Sequence, residues 1–304
     1  MTSIVDPTND SPMRRESRIY KIVDGQSLSV DVIGAQPGAN RPAVLWIHGG
    51  GLIFGSRKAS PRDSLLRALL KQDFVVASID HRLAPEARLP SIVEDVRDAW
   101  RWLHSTGSSD FGVAPDRIVI AGASAGAYLA LMAGYMVEPR PRAIASFFGY
   151  GDITAPWEAD PSAHYRTLDL VTRADALASL AAPAVQDPAV GIDRSIFYLH
   201  CRQQGLWLSE VTAHDPRKNP SWFDPYCPLR NITTTFPPTI LVHGTRDNDV
   251  PHDESVQLAA KLADCGVEHR FISLAGVGHG FAGAPPEDVA AVEASVAEFL
   301  RDAT

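Results

Sequence analysis

Cysteines, long apolar runs and basic blocks are all scarce in this chain of 304 residues. The three cysteines, Cys201, Cys227 and Cys265, have no CxxC spacing, which argues against a disulfide framework or a structural zinc site. No apolar run approaches the roughly 20 residues that span a bilayer, and the polar N-terminal stretch lacks the apolar core of a signal peptide. We therefore expect a cytoplasmic protein with reduced thiols and no membrane span.

Excess positive charge is absent as well. The formal net charge is −8 at pH 7, so nucleic acid and anionic membrane surfaces are disfavoured as partners. Hydrophobic residues make up 45% of the chain and charged residues 21%, which is ordinary for a globular protein. A chain of this length buries a full core, and one large α/β domain with an insertion is the default expectation.

Strand and helix patterns alternate along most of the chain, which predicts a mostly parallel, doubly wound sheet with helices on both faces. The predicted strands are Ser17–Val23, Ser27–Ile33, Ala43–Ile47, Phe74–Ile79, Ile118–Ala121, Ala143–Phe148, Thr239–Val242 and Arg270–Ser273. The predicted helices are Pro61–Lys71, Ser91–His104, Ala125–Met136, Asp253–Cys265 and Glu287–Arg301. The last strand is expected at or near a sheet edge, where it could pair across a homodimer.

The alternation stops after Asp152, and roughly 85 residues follow without a clear strand. We therefore assign residues 1–151 and 236–304 to the α/β core and residues 152–235 to an inserted helical cap. The tryptophans of this segment, Trp157, Trp207 and Trp222, either line an acyl pocket or pack the segment onto the sheet.

Five small residues, GASAG at 122–126, separate a predicted strand from a predicted helix. They match G-x-S-x-G in the strand–turn–helix context of a nucleophile elbow. Glycine on both sides allows close backbone approach, and the hydroxyl is presented at a helix N-terminus whose dipole favours negative charge. Ser124 is therefore the candidate nucleophile.

A second glycine run, HGGG at residues 48–51, follows the predicted strand Ala43–Ile47. It is either a simple turn or an oxyanion hole, in which backbone N–H groups bind the charge that develops on a carbonyl oxygen. Each such donor is worth roughly 2.7–4 kcal/mol in the transition state. The natural donors are the N–H groups of Gly50, Gly51 and Ala125.

A serine hydroxyl needs a base, and the base needs an orienting acid. His279 lies in a loop of small residues after the last predicted strand, and Asp247 lies in the loop after the preceding strand. Along the chain, Ser124, Asp247 and His279 follow the order nucleophile, acid, base that is typical of α/β-hydrolases. Asp249 is the main rival for the acid.

Other polar residues are expected to serve the structure. His48 and His243 are predicted to hydrogen-bond loop backbone. Asp80 and Arg82 are predicted to form an ion pair with each other, and Asp95 is expected on a solvated helix face.

Together these stretches resemble the hormone-sensitive-lipase-like branch of the α/β-hydrolases, the HGGG carboxylesterases. The matching segments are LWIHGGGLIFGS, SIDHRLAPE, the helix Ser91–Leu103, GASAGA, ILVHGTRDNDVP and GVGHGF, spread from about residue 43 to 281. The resemblance implies an α/β-hydrolase fold and hydrolysis of short to medium acyl esters without a cofactor or metal. It assigns Ser124 as nucleophile, Asp247 as acid, His279 as base, and Gly50, Gly51 and Ala125 as oxyanion donors.

The chain departs from this family at two places. Members usually have Asp before the serine, as GDSAG, whereas this chain has Ala123. The first predicted strand begins near residue 17, so the N-terminal part of the lid is short and the lid must come mainly from residues 152–235.

We interpret the sequence as that of a serine carboxylesterase acting on a small or medium hydrophobic ester through an acyl-enzyme. The same residues would serve a thioester, a lactone, an amide or acyl transfer, because they act only on the carbonyl. A non-catalytic binding protein and a non-hydrolytic reaction on the same fold stay open as alternatives. The expected partner is a small-molecule ester.

Overall fold

The fold is built around an eight-stranded sheet, seen in a computed structural model that describes residues 5–6, 9–12, 15–59, 61–181 and 193–304. Two short strands, β1 (Val5–Asp6) and β2 (Asn9–Pro12), form a separate antiparallel pair. The large sheet contains β3 (Arg15–Val23), β4 (Gln26–Ile33), β5 (Arg41–Ile47), β6 (Val75–Ile79), β7 (Val113–Ala123), β8 (Ile144–Phe147), β9 (Thr239–Gly244) and β10 (His269–Leu274).

The strand order is β10-β9-β8-β7-β5-β6-β4-β3. Strand β4 is antiparallel to both of its neighbours and the other pairings are parallel, which confirms the predicted mostly parallel sheet. Strands β6 and β9 are buried along their whole length, as expected for apolar strands covered on both faces. Strand β10 lies at one edge of the sheet, as predicted; its pairing across a homodimer stays a prediction.

Helices lie on both faces of this sheet. In chain order they are α1 (Asp63–Lys71), α2 (Leu89–Trp102), α3 (Ser108–Phe111), α4 (Ala125–Met136), α5 (Pro156–Ala159), α6 (Arg173–Ala178), α7 (Ser195–Gln204), α8 (Trp207–Thr212), α9 (Pro228–Asn231), α10 (Asp253–Asp264) and α11 (Pro286–Asp302). Helices α1 and α11 bury Leu66 and Val296 in one core, whereas α4 and α10 bury Leu129 and Leu258 in the other. None of the described helices is both long and apolar enough to cross a membrane.

The segment between β8 and β9 carries α5 to α9, and its described residues form no strand. Helix α7 is tied to the core through Arg194, whose buried guanidinium donates to Ile53 O at 2.8 Å and to Ala84 O at 2.7 Å. The same group forms a salt bridge of 2.7 Å with Glu86. The segment is therefore held against the loops that follow β5 and β6.

Two of the structural roles expected for polar residues are wrong. Asp80 pairs with Arg57 at 2.6 Å and Arg82 pairs with Asp95 at 2.8 Å, so Asp80 and Arg82 do not pair with each other. Asp95 is buried and also binds Lys21 of β3 at 2.7 Å. The partners come from distant parts of the chain, because the sheet brings β3, β6 and α2 together.

Candidate active site

Ser124 lies between β7 and α4 in a strained backbone conformation. Its φ is 54° and its ψ is −122°, outside the regions that L residues ordinarily adopt. Its N–H donates to Phe147 O at 2.9 Å, so the turn is fixed against the end of β8. The strain is that expected of a serine presented on a tight strand-to-helix turn.

The glycines on either side of this turn are required by close backbone contact. A Cβ on Gly122 would lie 2.4 Å from the backbone of Gly126, and a Cβ on Gly126 would lie 2.2 Å from Ile47 O. Real Cβ atoms do not approach backbone atoms this closely, so a larger residue at Gly122 would displace α4 from the end of β7, and one at Gly126 would displace it from the end of β5. The sequence prediction of close approach on both sides is confirmed.

The HGGG run forms a loop that lies against Ser124. A Cβ placed on Gly49 would lie 3.3 Å from Ser124 Cβ, and Gly50 and Gly51 have positive φ values of 114° and 56°. The N–H groups of Gly50 and Gly51 donate to no other residue in the described part of the chain. The N–H of Ala125 is the first of α4 and has no intrahelical acceptor. Among the residues that the structure describes, none accepts a hydrogen bond from the N–H of any of the three expected oxyanion donors.

Asp247 and His279 meet at the ends of β9 and β10. His279 Nδ1 lies 2.7 Å from Asp247 Oδ2 and donates to it, because an ionised carboxylate only accepts. Asp247 Oδ1 accepts from the N–H groups of Asp249 and Val250, both at 2.9 Å. Burial opposes ionisation of Asp247, but the hydrogen bonds from His243 and His279 hold its pKa below the ordinary range.

The imidazole of His279 has a perturbed pKa. Burial acts to lower it, but the hydrogen bond to Asp247 and the negative charge of Asp249 raise the pKa of His279 above its ordinary value. The ring packs edge-on against Phe148 at 4.8 Å and 26% of the side chain is exposed. The imidazole is therefore half-enclosed and holds a proton more firmly than an ordinary histidine.

The structure joins His279 to Asp247 but does not join it to Ser124. Within the described residues, no hydrogen bond connects Ser124 Oγ to the imidazole, and His279 Nε2 instead faces Asp249 Oδ2 at 3.7 Å. Ser124 and His279 are linked through two adjacent residues, since Phe147 O accepts from the Ser124 N–H and Phe148 packs on the imidazole. Asp249, considered as a rival acid, faces the opposite ring nitrogen from Asp247.

Two residues of α7, Tyr198 and Arg202, complete the site and were missed by sequence analysis. Tyr198 donates from its hydroxyl to Asp249 Oδ1 at 2.6 Å. A Cβ on Gly51 would lie 2.3 Å from the Tyr198 ring, so this ring covers the glycine loop. Arg202 is buried and donates to Asp249 O at 3.1 Å. No motif marks either residue, because both lie in the segment where the strand and helix alternation is lost.

Two of the three tryptophans between β8 and β9 fix this segment to the rest of the molecule. Trp207 is fully buried and its indole N–H donates to Gly51 O at 2.7 Å. Trp157 donates to Glu254 Oε1 of α10 at 2.8 Å. Trp222 stacks on His214 at 4.1 Å. For Trp157 and Trp207, packing and hydrogen bonding to the core is therefore the observed role.

The remaining candidate histidines bind loop backbone, as predicted. His48 Nδ1 lies 2.7 Å from Gly49 O, and His243 Nε2 lies 3.0 Å from Val250 O. His48 also stacks on His81 at 4.3 Å, and burial beside that second imidazole lowers the pKa of His48 to about 3. Nowhere in the described ranges do three His, Cys, Asp or Glu side chains group closely enough to hold a metal ion.

Comparison of the sequence with known proteins identifies one family and a set of polyketide synthases as relatives. A family model described as the alpha/beta hydrolase fold matches residues 44–283. A non-reducing polyketide synthase of Preussia isomera is 31% identical over 296 residues, which cover 86% of this chain and 13% of the synthase. A second, from Penicillium brasilianum, is 28% identical over 353 residues, covering 98% of this chain and 14% of the synthase. The chain thus spans about one seventh of the length of these relatives.

Solved structures of similar fold include several esterases. A protein of unknown function from Staphylococcus aureus subsp. aureus Mu50 has a TM-score of 0.75 at 23% identity, covering 94% of this chain and 98% of that one. A thermostable carboxylesterase cloned from a metagenomic library has a TM-score of 0.65 at 24% identity, covering 100% and 91%. A hyperthermophilic esterase from Pyrobaculum calidifontis has a TM-score of 0.67 at 23% identity, covering 95% and 83%. At these identities the similarity concerns the fold.

Proposed function

The chain belongs to the α/β-hydrolase fold family, and on that premise we propose that it is a serine hydrolase that cleaves carboxylic esters through an acyl-enzyme. The observation that carries the proposal is the hydrogen bond of 2.7 Å between His279 and Asp247, in a molecule where His279 packs on Phe148 and the neighbouring Phe147 O holds the N–H of the strained Ser124. A base held by a buried carboxylate beside a tightly turned serine is the arrangement that nucleophilic acyl transfer needs.

In the proposed reaction, Ser124 Oγ attacks the ester carbonyl and His279 Nε2 takes its proton. The N–H groups of Gly50, Gly51 and Ala125 stabilise the oxyanion of the tetrahedral intermediate. His279 then gives the proton to the leaving alcohol, and water hydrolyses the acyl-enzyme by the same steps. Catalytic hydrogen bonds often form only in the substrate complex, so the imidazole is expected to reach Ser124 when substrate is bound.

We further propose that residues 152–235 act as a cap over this site. Support comes from Tyr198 and Trp207, which contact the glycine loop directly. These bulky side chains limit the space beside Gly51, which favours a small or medium acyl group. Ala123 in place of the usual aspartate is accommodated, because the turn is held by backbone contacts of Ser124 and Gly126.

A thioester is the second candidate substrate, and the polyketide synthase relatives favour it. Both of the relatives described above are polyketide synthases, and polyketide chains grow as thioesters. A thioester presents the same carbonyl to Ser124 and the same oxyanion to the glycine loop. Comparing kcat/KM for an oxygen ester and a thioester of one acyl group distinguishes the two candidates.

The test combines active-site labelling with turnover. Wild type is treated with an organophosphate serine probe and its intact mass is measured, while hydrolysis of nitrophenyl esters from acetyl to octanoyl is followed in parallel. Ser124→Ala should lose both the single adduct and the turnover, whereas Ser105→Ala, a change at an exposed serine in the helical turn that follows α2, should keep both. A folded wild type that neither labels nor turns over any of these esters contradicts the proposal.

A further inference from the structure

We propose that Asp249 is a specificity-determining residue that accepts a hydrogen bond from the alcohol part of the substrate. The donor is a hydroxyl group on the second carbon from the ester oxygen. This inference rests on the proposed hydrolase function, in which the leaving alcohol lies at His279 Nε2. It names the substrate class as esters of diols and polyols in place of esters of simple alcohols.

The position of the Asp249 carboxylate carries the inference. Oδ1 accepts from the Tyr198 hydroxyl at 2.6 Å, which fixes the group in place. Oδ2 faces His279 Nε2 at 3.7 Å, a separation too long for a direct hydrogen bond. Only 13% of the side chain is exposed, and the hydroxyl groups of Tyr165 and Tyr198 both lie beside it, so the surroundings of this buried carboxylate suit a further hydroxyl donor. The leaving alcohol is the part of the substrate that comes to this place.

The charges around Asp249 select a neutral donor over a cation. Arg202 Nη2 lies 3.7 Å from Asp249 Oδ1, so the carboxylate already has a positive partner. Three rings, those of Trp157, Tyr165 and Tyr198, surround this guanidinium at 5.2, 5.6 and 6.0 Å. An ammonium group would be repelled by Arg202 and would find its aromatic partners already engaged. A hydroxyl donates one hydrogen bond without adding charge.

The distances fit a hydroxyl on the second carbon from the ester oxygen, as in the monoester of a 1,2-diol. To receive a proton, the leaving oxygen must come within about 2.6–3.2 Å of His279 Nε2. Asp249 Oδ2 lies 3.7 Å from the same nitrogen, so a hydroxyl next to the leaving oxygen can donate to it at the roughly 2.5–3.0 Å of an O–H···O bond. A methyl group at the same place would instead cover a carboxylate oxygen without satisfying it.

The test compares two acetates that differ only in this group. In 2-hydroxyethyl acetate a hydroxyl stands where propyl acetate has a methyl, and kcat/KM is measured for both with wild type, Asp249→Ala and the exposed control Asp253→Ala. A hydrogen bond to a charged group predicts a preference of about 10–100-fold for the hydroxyethyl ester in wild type. Asp249→Ala should reduce the ratio at least tenfold, and Asp253→Ala should keep it. A change in the pKa or position of His279 would alter kcat/KM for both esters by the same factor. The ratio of the two kcat/KM values therefore reports only the contact between Asp249 and the substrate hydroxyl.

The outcomes separate this inference from the function on which it rests. A wild type that hydrolyses both esters through Ser124 without preference, or a preference that Asp249→Ala retains, overturns the inference and leaves the hydrolase. A wild type that turns over neither these acetates nor nitrophenyl acetate overturns both. If Asp249→Ala does not fold, Asp249→Asn takes its place: the neutral acceptor should give an intermediate ratio, and a wild-type ratio overturns the inference.

Discussion

Asp247 and Asp249 face opposite nitrogens of one imidazole. Asp247 Oδ2 lies 2.7 Å from His279 Nδ1, and Asp249 Oδ2 lies 3.7 Å from Nε2. The two carboxylates are themselves connected, because the Asp249 N–H donates to Asp247 Oδ1 at 2.9 Å. Both charges favour the protonated imidazole, but only the contact at Nδ1 leaves Nε2 free to exchange protons with substrate.

The first prediction concerns the acid limb of the pH profile. His279 must be neutral to accept a proton, and its pKa is raised, so activity should fall as the pH drops through a value above the ordinary 6.5 or so. Asp249→Ala removes one charge that raises this pKa and should move the acid limb of kcat/KM for nitrophenyl acetate to lower pH. The exposed control Asp253→Ala should leave the limb in place. An acid limb that stays at the same pH or moves to higher pH in Asp249→Ala would contradict the prediction.

The second prediction separates the two aspartates by their effect on kcat. Asp247→Asn keeps an acceptor for the backbone N–H groups of the loop but removes the charge that orients His279, so kcat should fall by roughly 10⁴-fold. Asp249→Asn should leave kcat for a nitrophenyl ester within about tenfold of wild type, since this residue does not hold Nδ1. Thermal unfolding of both variants serves as the folding check. Equal losses in the two variants would show that the assignment of the acid is wrong.

The third prediction concerns the glycine loop. A Cβ on Gly50 would lie 2.1 Å from Phe54 O, whereas one on Gly266, also at positive φ, would meet nothing within 4 Å. Gly266→Ala should therefore cost only about 1–2 kcal/mol of left-handed strain and keep wild-type kcat. Gly50→Ala should shift the loop and lower kcat by about 10²–10³-fold, as for loss of one oxyanion donor. Steady-state kinetics beside thermal unfolding checks both, and equal kcat in the two variants would count against the loop's role.

Much of the fold could be predicted because its signals are local. Apolar runs and helical periodicity are properties of short stretches, and the predicted helix Ala125–Met136 has its observed bounds. The largest difference is in β7, which begins at Val113 although the apolar run begins only at Ile118. The first part of this strand contains Pro115 and polar residues, so the pattern carries no strand signal there.

The candidate site could be predicted only where motifs mark it. Ser124 lies in a recognisable pattern, whereas Tyr198 is brought to Asp249 by the packing of α7 and has no local signature. The predicted ion pair was wrong for the same reason. Asp80 and Arg82 are close in sequence, but Asp80 pairs with Arg57 and Arg82 pairs with Asp95. Long-range contacts of this kind depend on how elements pack, which residue patterns do not encode.

The last prediction concerns the buried ion pair between Arg202 and Glu158, which ties α7 to α5. Both side chains are only 3% exposed, and Arg202 also contacts the Asp249 loop. Burial raises the pKa of Glu158 to about 8, so the pair is tested at about pH 9, where the carboxyl is ionised. Arg202→Met would then leave the Glu158 carboxylate buried without its cation, which should lower the free energy of unfolding by about 3–5 kcal/mol. The exposed pair Arg217–Asp160 is the control, and Arg217→Met should cost at most about 1 kcal/mol.

Urea unfolding of a double-mutant cycle checks this reading of the pair. Combining Arg202→Met with Glu158→Leu removes both charges, so the double variant should be more stable than Arg202→Met alone, because no uncompensated charge stays buried. If Arg202→Met costs no more than Arg217→Met, the carboxylate must be solvated or neutral in the folded state. In that case Arg202 would not anchor α7, and the fixed position of Tyr198 over the glycine loop would need another cause.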